Sequence, residues 1–416
     1  MPEPIRIIHF ADAHVGMENY GRTDPRTGLS SRVVDFLRRL DDICQYAQDE
    51  DIDLVIFAGD AFKTRSPNPT YQREFAHRVR DLAAIAPVVL LVGNHDVAPA
   101  RMKASSIEIY DTLAVPNVWV ADGYEVRQID TRRGPVAVGS APYPIRARIL
   151  EEITTAGMTV GQTDNILQEQ LVTILDEMAA EADALGDMPR LLTGHFTIGG
   201  ALVGSERNIM LGRDVAVPRA ILADPRWDYV AMGHIHKHQN LTEGRDDVPP
   251  VVYSGSLERI DFGEEGDPKG FCRVDLARGA TEWRFVELGA RPFVTLRADL
   301  RDVDNPTTAV LRKIERHDLK NAVVRVHLEM TQDSQTRLDE NAIRDALHRA
   351  GTFSIASIHK QIEQPDRARL GASPEGLNNM ELLERYLIST STPQERRDEL
   401  LDLARQIMDE VENGGS

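Results

Sequence analysis

The chain opens on an apolar run, IRIIHF, that stops abruptly at Ala11-Asp12-Ala13-His14, and the same device recurs four more times. LVIF runs into Ala58, Gly59 and Asp60; VVLLV into Gly93, Asn94, His95 and Asp96; RLLT into Gly194 and His195; YVAM into Gly233, His234, Ile235 and His236. Short apolar runs that end on glycine or a polar residue predict strands covered on both faces, the habit of parallel sheets. Between them the period lengthens. Leu37–Tyr46 and Tyr71–Ile85 are predicted helices, and Asn165–Ala184 sets Ile166, Leu171, Ile174, Leu175 and Met178 at roughly helical spacing. Strands alternating with helices over residues 5–285 predict a layered α/β core rather than a bundle or a sandwich. FCRVDL and TEWRFVEL then read as two strands turning at Gly279.

A boundary is expected near Gly289–Pro292, which makes residues 1–288 the first domain. Residues 289–362 follow with FVTLRADL, TAVLRKIERH, AVVRVHLEM, a helix around Asn341–Arg349 and FSIASIHKQIE. That β-α-β-α-β order predicts a small α+β domain. Residues 363–378, rich in Pro, Gly and charge, read as a linker. Residues 379–412 read as two helices, one with Leu382, Leu383, Tyr386 and Leu387 in a stripe. The other opens on a capping box at Thr392-Pro393-Gln394-Glu395 and lines up Leu400, Leu401, Ala404, Ile407, Met408 and Val411.

Bulk properties narrow the class without naming it. With 416 residues, 42% apolar and 27% charged, the chain has material for two or three folded domains. No window approaches twenty consecutive apolar residues and the N-terminus passes straight into a strand, so neither a membrane span nor a secretory signal is expected. Cys44 and Cys272 are the only cysteines and stand far apart, which predicts free thiols in a cytoplasmic protein and excludes a thiolate zinc cluster. A formal charge of −18 argues against binding nucleic acid by overall basicity. It does not exclude a nuclease, because divalent cations reverse the local field and positive charge can be confined to one face. Residues 291–360 carry twelve Lys and Arg against ten Asp and Glu, a local excess over an acidic remainder.

The strand ends carry the chemistry, since ligands of open α/β sheets gather beyond the carboxyl ends of strands. A single Asp or His there is ordinarily a cap or a satisfied polar group. Five strand ends bearing DxH, GD, GNHD, GH and GHxH are not. Asp12, His14, Asp60, Asn94, His195, His234 and His236 are the candidate metal ligands, with Asp60 the natural bridge because a carboxylate has two oxygens. Mixed oxygen and imidazole donors suit manganese, iron or zinc better than magnesium or calcium. Two such ions can activate a water and clamp a phosphoryl group. His95 is set apart as a catalytic histidine facing substrate, with Asp96 expected to orient its ring. His238 is expected to be a solvated neighbour.

This order of motifs resembles the calcineurin-like metallophosphoesterase superfamily over about residues 5–260, which implies a layered α/β/β/α core. By position the resemblance implies Asp12, His14, Asp60 and His236 around one metal, and Asp60, Asn94, His195 and His234 around the other. A finer resemblance is to the SbcD and Mre-eleven nuclease family. It is carried by HFADAHVG, FAGDAFKTRSPNPTYQREF, GNHD, APYP at 141–144, TGHFTIGGA, GSERNIMLGRDVAVP, WDYVAMGHIHKHQ and YSGSLERIDFGEE. It implies an α+β capping domain that contacts DNA and C-terminal helices that dock an ATPase. It further implies a homodimeric, manganese-dependent nuclease, a 3′→5′ exonuclease on duplex ends and an endonuclease on single strands and hairpins, acting in break repair and recombination. The implied partner is SbcC, a coiled-coil ABC-type ATPase resembling Rad-fifty. This chain has no Gly-Lys dipeptide and hence no phosphate-binding loop of its own.

Some segments keep two readings. Arg22, Arg26, Arg32, Lys63 and Arg65 are either phosphate contacts or ordinary surface side chains. Arg312, Lys313, Arg316 and Lys320 are either a solvated helix face or a backbone-contacting surface for DNA. Ser254, Gly255 and Ser256 form either a cleft-lining turn or a plain structural one. Leu383, Tyr386, Leu387, Leu400, Leu401, Ala404, Ile407 and Met408 pack either on the chain's own body or on a partner helix. Two rival functions use the same core. A small-molecule phosphatase or cyclic-nucleotide phosphodiesterase would need no cap and no docking helices, and a non-cutting DNA-end scaffold would not need every ligand.

Overall fold

In the computed structural model, residues 3–97, 104–151, 153, 157–204, 215–363, 378–390 and 392–413 are described. Two six-stranded sheets form the body. The first contains β1 (Ile5–Phe10), β2 (Leu54–Phe57), β3 (Val88–Leu91), β4 (Val118–Ala121), β11 (Gly270–Leu276) and β12 (Glu282–Glu287), in the order β12-β11-β1-β2-β3-β4. The second contains β5 (Glu125–Thr131), β6 (Gly134–Ala141), β7 (Arg190–His195), β8 (Tyr229–Gly233), β9 (Gln239–Asn240) and β10 (Val251–Tyr253), in the order β5-β6-β7-β8-β10-β9. The five motif-bearing strands β1, β2, β3, β7 and β8 all make parallel pairs. The hairpin predicted around Gly279 forms, with φ +68° at that glycine, and lays β11 antiparallel along β1.

Burial on both faces explains why the motif strands are apolar without alternation. Ile7, Leu54, Ile56, Val89 and Leu91 point between the sheets, where they meet Val138, Leu191, Tyr229, Ala231 and Val252. Their neighbours Ile8, Phe10, Val55, Phe57, Val88 and Leu90 point the other way. They meet Val33, Leu37, Leu40 and Ile43 of α1 (Ser31–Asp49) and Phe75, Val79 and Leu82 of α2 (Pro69–Ala83). The far face of the second sheet, with Ala137, Leu192, Val230, Met232 and Val251, is covered by α5 (Val160–Ala184). The layer order is therefore helices, sheet, sheet, helices. Shorter helices α3 (Ile109–Thr112), α4 (Arg146–Ile149) and α6 (Arg219–Leu222) occupy the connections.

Helices α1 and α5 run longer than their apolar stripes predicted, because polar caps extend them, whereas α2 keeps its predicted length but starts and ends two residues earlier. Ser30 caps α1, and Thr159 with Gln162 forms a capping box before α5. The stripe on α5 is also rotated. Leu167, Leu171, Leu175 and Met178 are buried, while the expected Ile166 and Ile174 are half-buried flanks.

The remaining chain gives β13 (Phe293–Asp299), α7 (Pro306–Glu315), β14 (Val323–Met330), α8 (Gln332–Thr336), α9 (Glu340–Arg349) and β15 (Ser354–Ile362), with the strands in the order β13-β14-β15. The expected β-α-β-α-β order is present, with one short extra helix. The last elements are α10 (Asn379–Ser389) and α11 (Gln394–Asn413), which contact each other.

By contact density the chain divides into two units. One comprises Met1–Leu296, His317–Arg325 and Asp345–Ser357; the other comprises Arg297–Arg316, Val326–Arg344 and Ile358–Ser416. The division expected at 288–289 thus falls inside the first unit, and the α+β segment contributes to both. The linker expected at 363–378 lies, apart from its two end residues, outside the described residues, as does 205–214 of the GSERNIMLGRDVAVP stretch. Among the described residues no helix is long and apolar enough to cross a membrane.

Candidate metal centre

The seven candidate ligands leave two different sheets, β1, β2 and β3 from the first and β7 and β8 from the second, and their donor atoms converge. His14 Nε2 lies 3.0 Å from His236 Nε2, 3.7 Å from Asp60 Oδ2 and 3.9 Å from Asp12 Oδ1. His195 Nε2 lies 3.4 Å from Asp60 Oδ2 and 3.0 Å from Asn94 Oδ1, and His234 Nδ1 is also 3.0 Å from Asn94 Oδ1. Donors about 2.0–2.2 Å from a common ion at ordinary bond angles stand about 3.0–3.5 Å apart, a spacing that four of these six separations match and the other two approach. Asp60 is the residue common to both groups of donors. All seven are buried, a costly state for carboxylates and imidazoles that divalent cations would relieve. The site therefore fits a pair of divalent ions.

Local backbone geometry aims these side chains. Among the described residues nine non-glycine residues have positive φ, and Asp12 (+53°), His14 (+37°), Asp60 (+62°) and His234 (+91°) are four of them. Left-handed backbone is unfavourable for such residues and concentrates at functional sites. The two sheets must also approach closely. A Cβ on Gly233 would sit 2.1 Å from Ala58 O, and one on Gly59 would sit 2.4 Å from His195 Nδ1. Glycine at these two strand ends is what permits that approach.

Four of the candidate ligands are held from behind. The main-chain N–H of His234 donates to both Asp12 oxygens at 3.1–3.2 Å, and that of His95 donates to Asp60 Oδ1 at 2.8 Å. His195 Nδ1 meets Ala58 O at 2.6 Å, and His236 Nδ1 meets Glu264 Oε1 at 2.9 Å, so both rings present Nε2 to the site. His234, by contrast, presents Nδ1.

The charges of the metal-free centre follow from burial and proximity. Burial alone would pull His195 down, but the carboxylates of Asp60 and Asp12 overrule it and push the imidazole up to about 9. Burial likewise opposes the charge on Asp60, yet His195 beside it holds that carboxyl well below the usual range. Burial raises Asp12 and drives His14 well below its ordinary value, leaving that ring neutral and ready to ligate.

His95 sits at the edge of the cluster, its ring 5.0 Å from that of His14. Its Nδ1–H donates to Lys63 O at 2.7 Å. The orienting role expected of Asp96 is therefore taken by a main-chain carbonyl. Asp96 does something else: its carboxylate accepts from the N–H groups of Asp60 (2.8 Å), Ala61 (3.1 Å) and Gly93 (3.1 Å) and from Ser106 Oγ (3.1 Å). It clamps the β2 and β3 loops together, because a carboxylate has acceptor sites enough for all four.

The candidate phosphate contacts separate. Arg22, Arg26 and Lys63 are exposed, and Arg65 is half-buried with Nε donating to Asn94 O at 3.1 Å, directly behind a ligand. Arg32 is buried and paired with Asp35 and Glu258, so it is structural. Arg312 is exposed and Lys313 half-buried on α7, in the second unit. His238 is packed rather than solvated, stacked 4.0 Å from Phe285. In the C-terminal hairpin Leu387 and Leu401 are buried. Leu383, Leu400, Ala404 and Met408 are half-buried, and Tyr386 and Ile407 are exposed, so the expected docking stripe is split.

Three residues escaped the sequence reading. Tyr143 lies with its ring 6.1 Å from that of His234, and Glu264 and Lys269 are buried behind His236. APYP and YSGSLERIDFGEE contained or bordered them, but an acidic run such as GEEGDPK gives no sign of which carboxylate turns inward.

Comparison with known proteins agrees with this geometry. The family model for calcineurin-like phosphoesterases matches residues 5–238. The SbcD component of nuclease SbcCD from Rhodobacter capsulatus is 28% identical over 390 residues, spanning 89% of this chain and 90% of its own length. The protein of the same name from Escherichia coli K12 is 28% identical over 392 residues, 91% of each chain, and that from Bacillus subtilis is 29% identical over 305 residues, 71% and 72%.

Proposed function

The chain belongs to the calcineurin-like phosphoesterase family, and from that premise we propose that it is the nuclease subunit of a DNA-processing complex. It cleaves DNA with two manganese ions, as a 3′→5′ exonuclease on duplex ends and an endonuclease on single strands and hairpins. It acts as a homodimer with an SbcC-like ABC-type ATPase in break repair and recombination. The observation that carries this reading is the convergence of seven donors, shared through Asp60, in a chain that aligns with the SbcD nuclease proteins over about nine-tenths of both lengths. The missing phosphate loop supports a separate ATP-binding subunit. Tyr386, Ile388, Leu403 and Ile407, exposed on the C-terminal hairpin, supply apolar surface for docking it.

In this reading Asp12, His14, Asp60 and His236 would hold one ion, and Asp60, Asn94, His195 and His234 would hold the other. When bound, the ions supply Lewis-acid activation of the attacking water and stabilise charge on the phosphoryl oxygens. The residues then divide the remaining work. His95, with Nδ1 fixed on Lys63 O, offers Nε2 to the substrate and protonates the departing oxygen or neutralises developing charge. Arg65, tied to the Asn94 carbonyl, and the exposed Arg22, Arg26 and Lys63 hold the flanking phosphates without reading sequence.

The test is an assay of the full chain with manganese on linear duplex DNA, hairpin DNA and p-nitrophenyl phosphate diesters, with and without the ATPase. DNA cleavage is the expected result. Turnover of small diesters with no DNA cleavage, even with the ATPase present, would instead identify a small-molecule phosphoesterase. A chain ending at residue 363 is expected to cut DNA alone and to lose capture of the ATPase in pull-down.

A further inference from the structure

His236 is the only imidazole in the centre whose outer nitrogen is seen to meet a carboxylate, among the described contacts, and the group behind it is elaborate. Glu264 is fully buried at the end of a single 3-10 turn, Phe262–Glu264. One oxygen, Oε1, accepts from His236 Nδ1 at 2.9 Å. The other, Oε2, lies 2.8 Å from Lys269 Nζ and accepts from the N–H of Ile260 at 3.0 Å. Lys269, also buried, donates to His236 O at 3.0 Å and to Ser256 Oγ at 2.8 Å. The N–H of Ser256 donates to the same His236 carbonyl at 3.1 Å. Gly255, at φ +77°, lets that turn close on the ligand loop: a Cβ there would stand 2.8 Å from His236 O.

A buried ion pair of this kind contributes little net stability, because desolvation of both charges offsets their attraction. Its geometry is more informative. The Glu264 end fixes the His236 ring and turns Nε2 toward His14 and Asp12, and the Lys269 end fixes the His236 main chain. Behind the ring of His195, which serves the other group of donors, the described contact is to the neutral Ala58 carbonyl.

We propose that Glu264, anchored by Lys269, is a positioning residue that strengthens the ion site formed by Asp12, His14 and His236 without serving the other site. The idea rests on the two-ion reading of the centre. An anionic acceptor on the outer nitrogen keeps the imidazole in one tautomer and makes it a stronger donor, and removing such a partner typically weakens metal binding by about 10–100-fold.

The experiment is manganese titration of the full chain by calorimetry, with electron paramagnetic resonance to separate a spin-coupled ion pair from an isolated ion. The variant is the double substitution Glu264→Gln with Lys269→Met, which removes both charges and leaves neither unpaired. It should bind one manganese as the wild type does and the other about 10–100-fold more weakly. Its spectrum should be dominated by the isolated ion, and its metal-free melting temperature should lie near that of the wild type. Glu264→Asp keeps both charges and withdraws the carboxylate by one methylene, so it should weaken the same single site even if the double variant fails to fold. Two manganese ions bound with wild-type affinity in either folded variant would overturn the proposal alone. A wild type that never takes up two ions would overturn the two-ion reading, and this proposal with it.

Discussion

At His95 the chain commits Nδ1 to a main-chain carbonyl, as it does at His195, so the choice between a catalytic and a ligand role falls on Nε2. His95→Ala is expected to keep both manganese ions while lowering the cleavage rate by about 10²–10⁴-fold. Single-turnover cleavage beside a manganese titration reads this, and loss of an ion would reassign the residue as a ligand. His195 makes a different prediction. Asp60 and Asp12 hold its imidazole protonated up to about pH 9 in the metal-free protein, yet a ligand must be neutral, so binding expels a proton. Apparent manganese affinity should therefore rise about tenfold per pH unit below about 9 and flatten above it. Calorimetry in buffers of different ionisation heat should show about one proton released near pH 7; none released would refute the assignment.

Each ligand loop is an element shaped by what it must reach. The β2 and β3 loops are joined through Asp96, whose carboxylate gathers three backbone N–H groups and one hydroxyl. Asp96→Asn places an N–H₂ group where one of those donors now points. The expected cost is about 1–3 kcal/mol in urea denaturation, with weaker manganese binding because Asp60 follows its loop. Unchanged stability would show the clamp to be redundant. The role expected of Asp96 failed because GNHD says nothing about which way adjacent side chains turn. The α5 stripe was displaced by one position for a related reason: Ile166 and Leu167 are equally apolar, and only packing against the second sheet chooses Leu167.

At the scale of the first unit, His9 sits in the largely apolar layer between the two sheets, with Nδ1 3.2 Å from Tyr229 Oη and Nε2 3.2 Å from Met232 O. Burial pushes this histidine down to about 3. Its folded value lies below the unfolded one of about 6.5, so the unfolded chain takes up the proton first. The contribution is fully present above about pH 6.5 and is lost as pH falls toward 3, by at most about 1.4 kcal/mol per pH unit. His9→Gln should flatten the acid limb of stability measured by urea titration between pH 7 and 4. Parallel slopes would place the acid sensitivity elsewhere.

The strand ends were legible because both their neighbours and their chemistry are written locally. Apolar runs buried on two faces lose their alternation, and DxH, GD, GNHD, GH and GHxH each sit where such a run stops. Those residues, in that order, are enough to specify the family and to nominate the donor set. What lay beyond the sequence was everything decided across distance. It could not show that three ligand strands belong to one sheet and two to another, or that Arg32 is buried against Glu258. Nor could it show that Lys63 O orients His95, or that Glu264 rather than its neighbours turns inward behind His236. These are contacts between residues far apart in the chain, and their partners are selected by how two sheets pack, a free energy that no local pattern encodes.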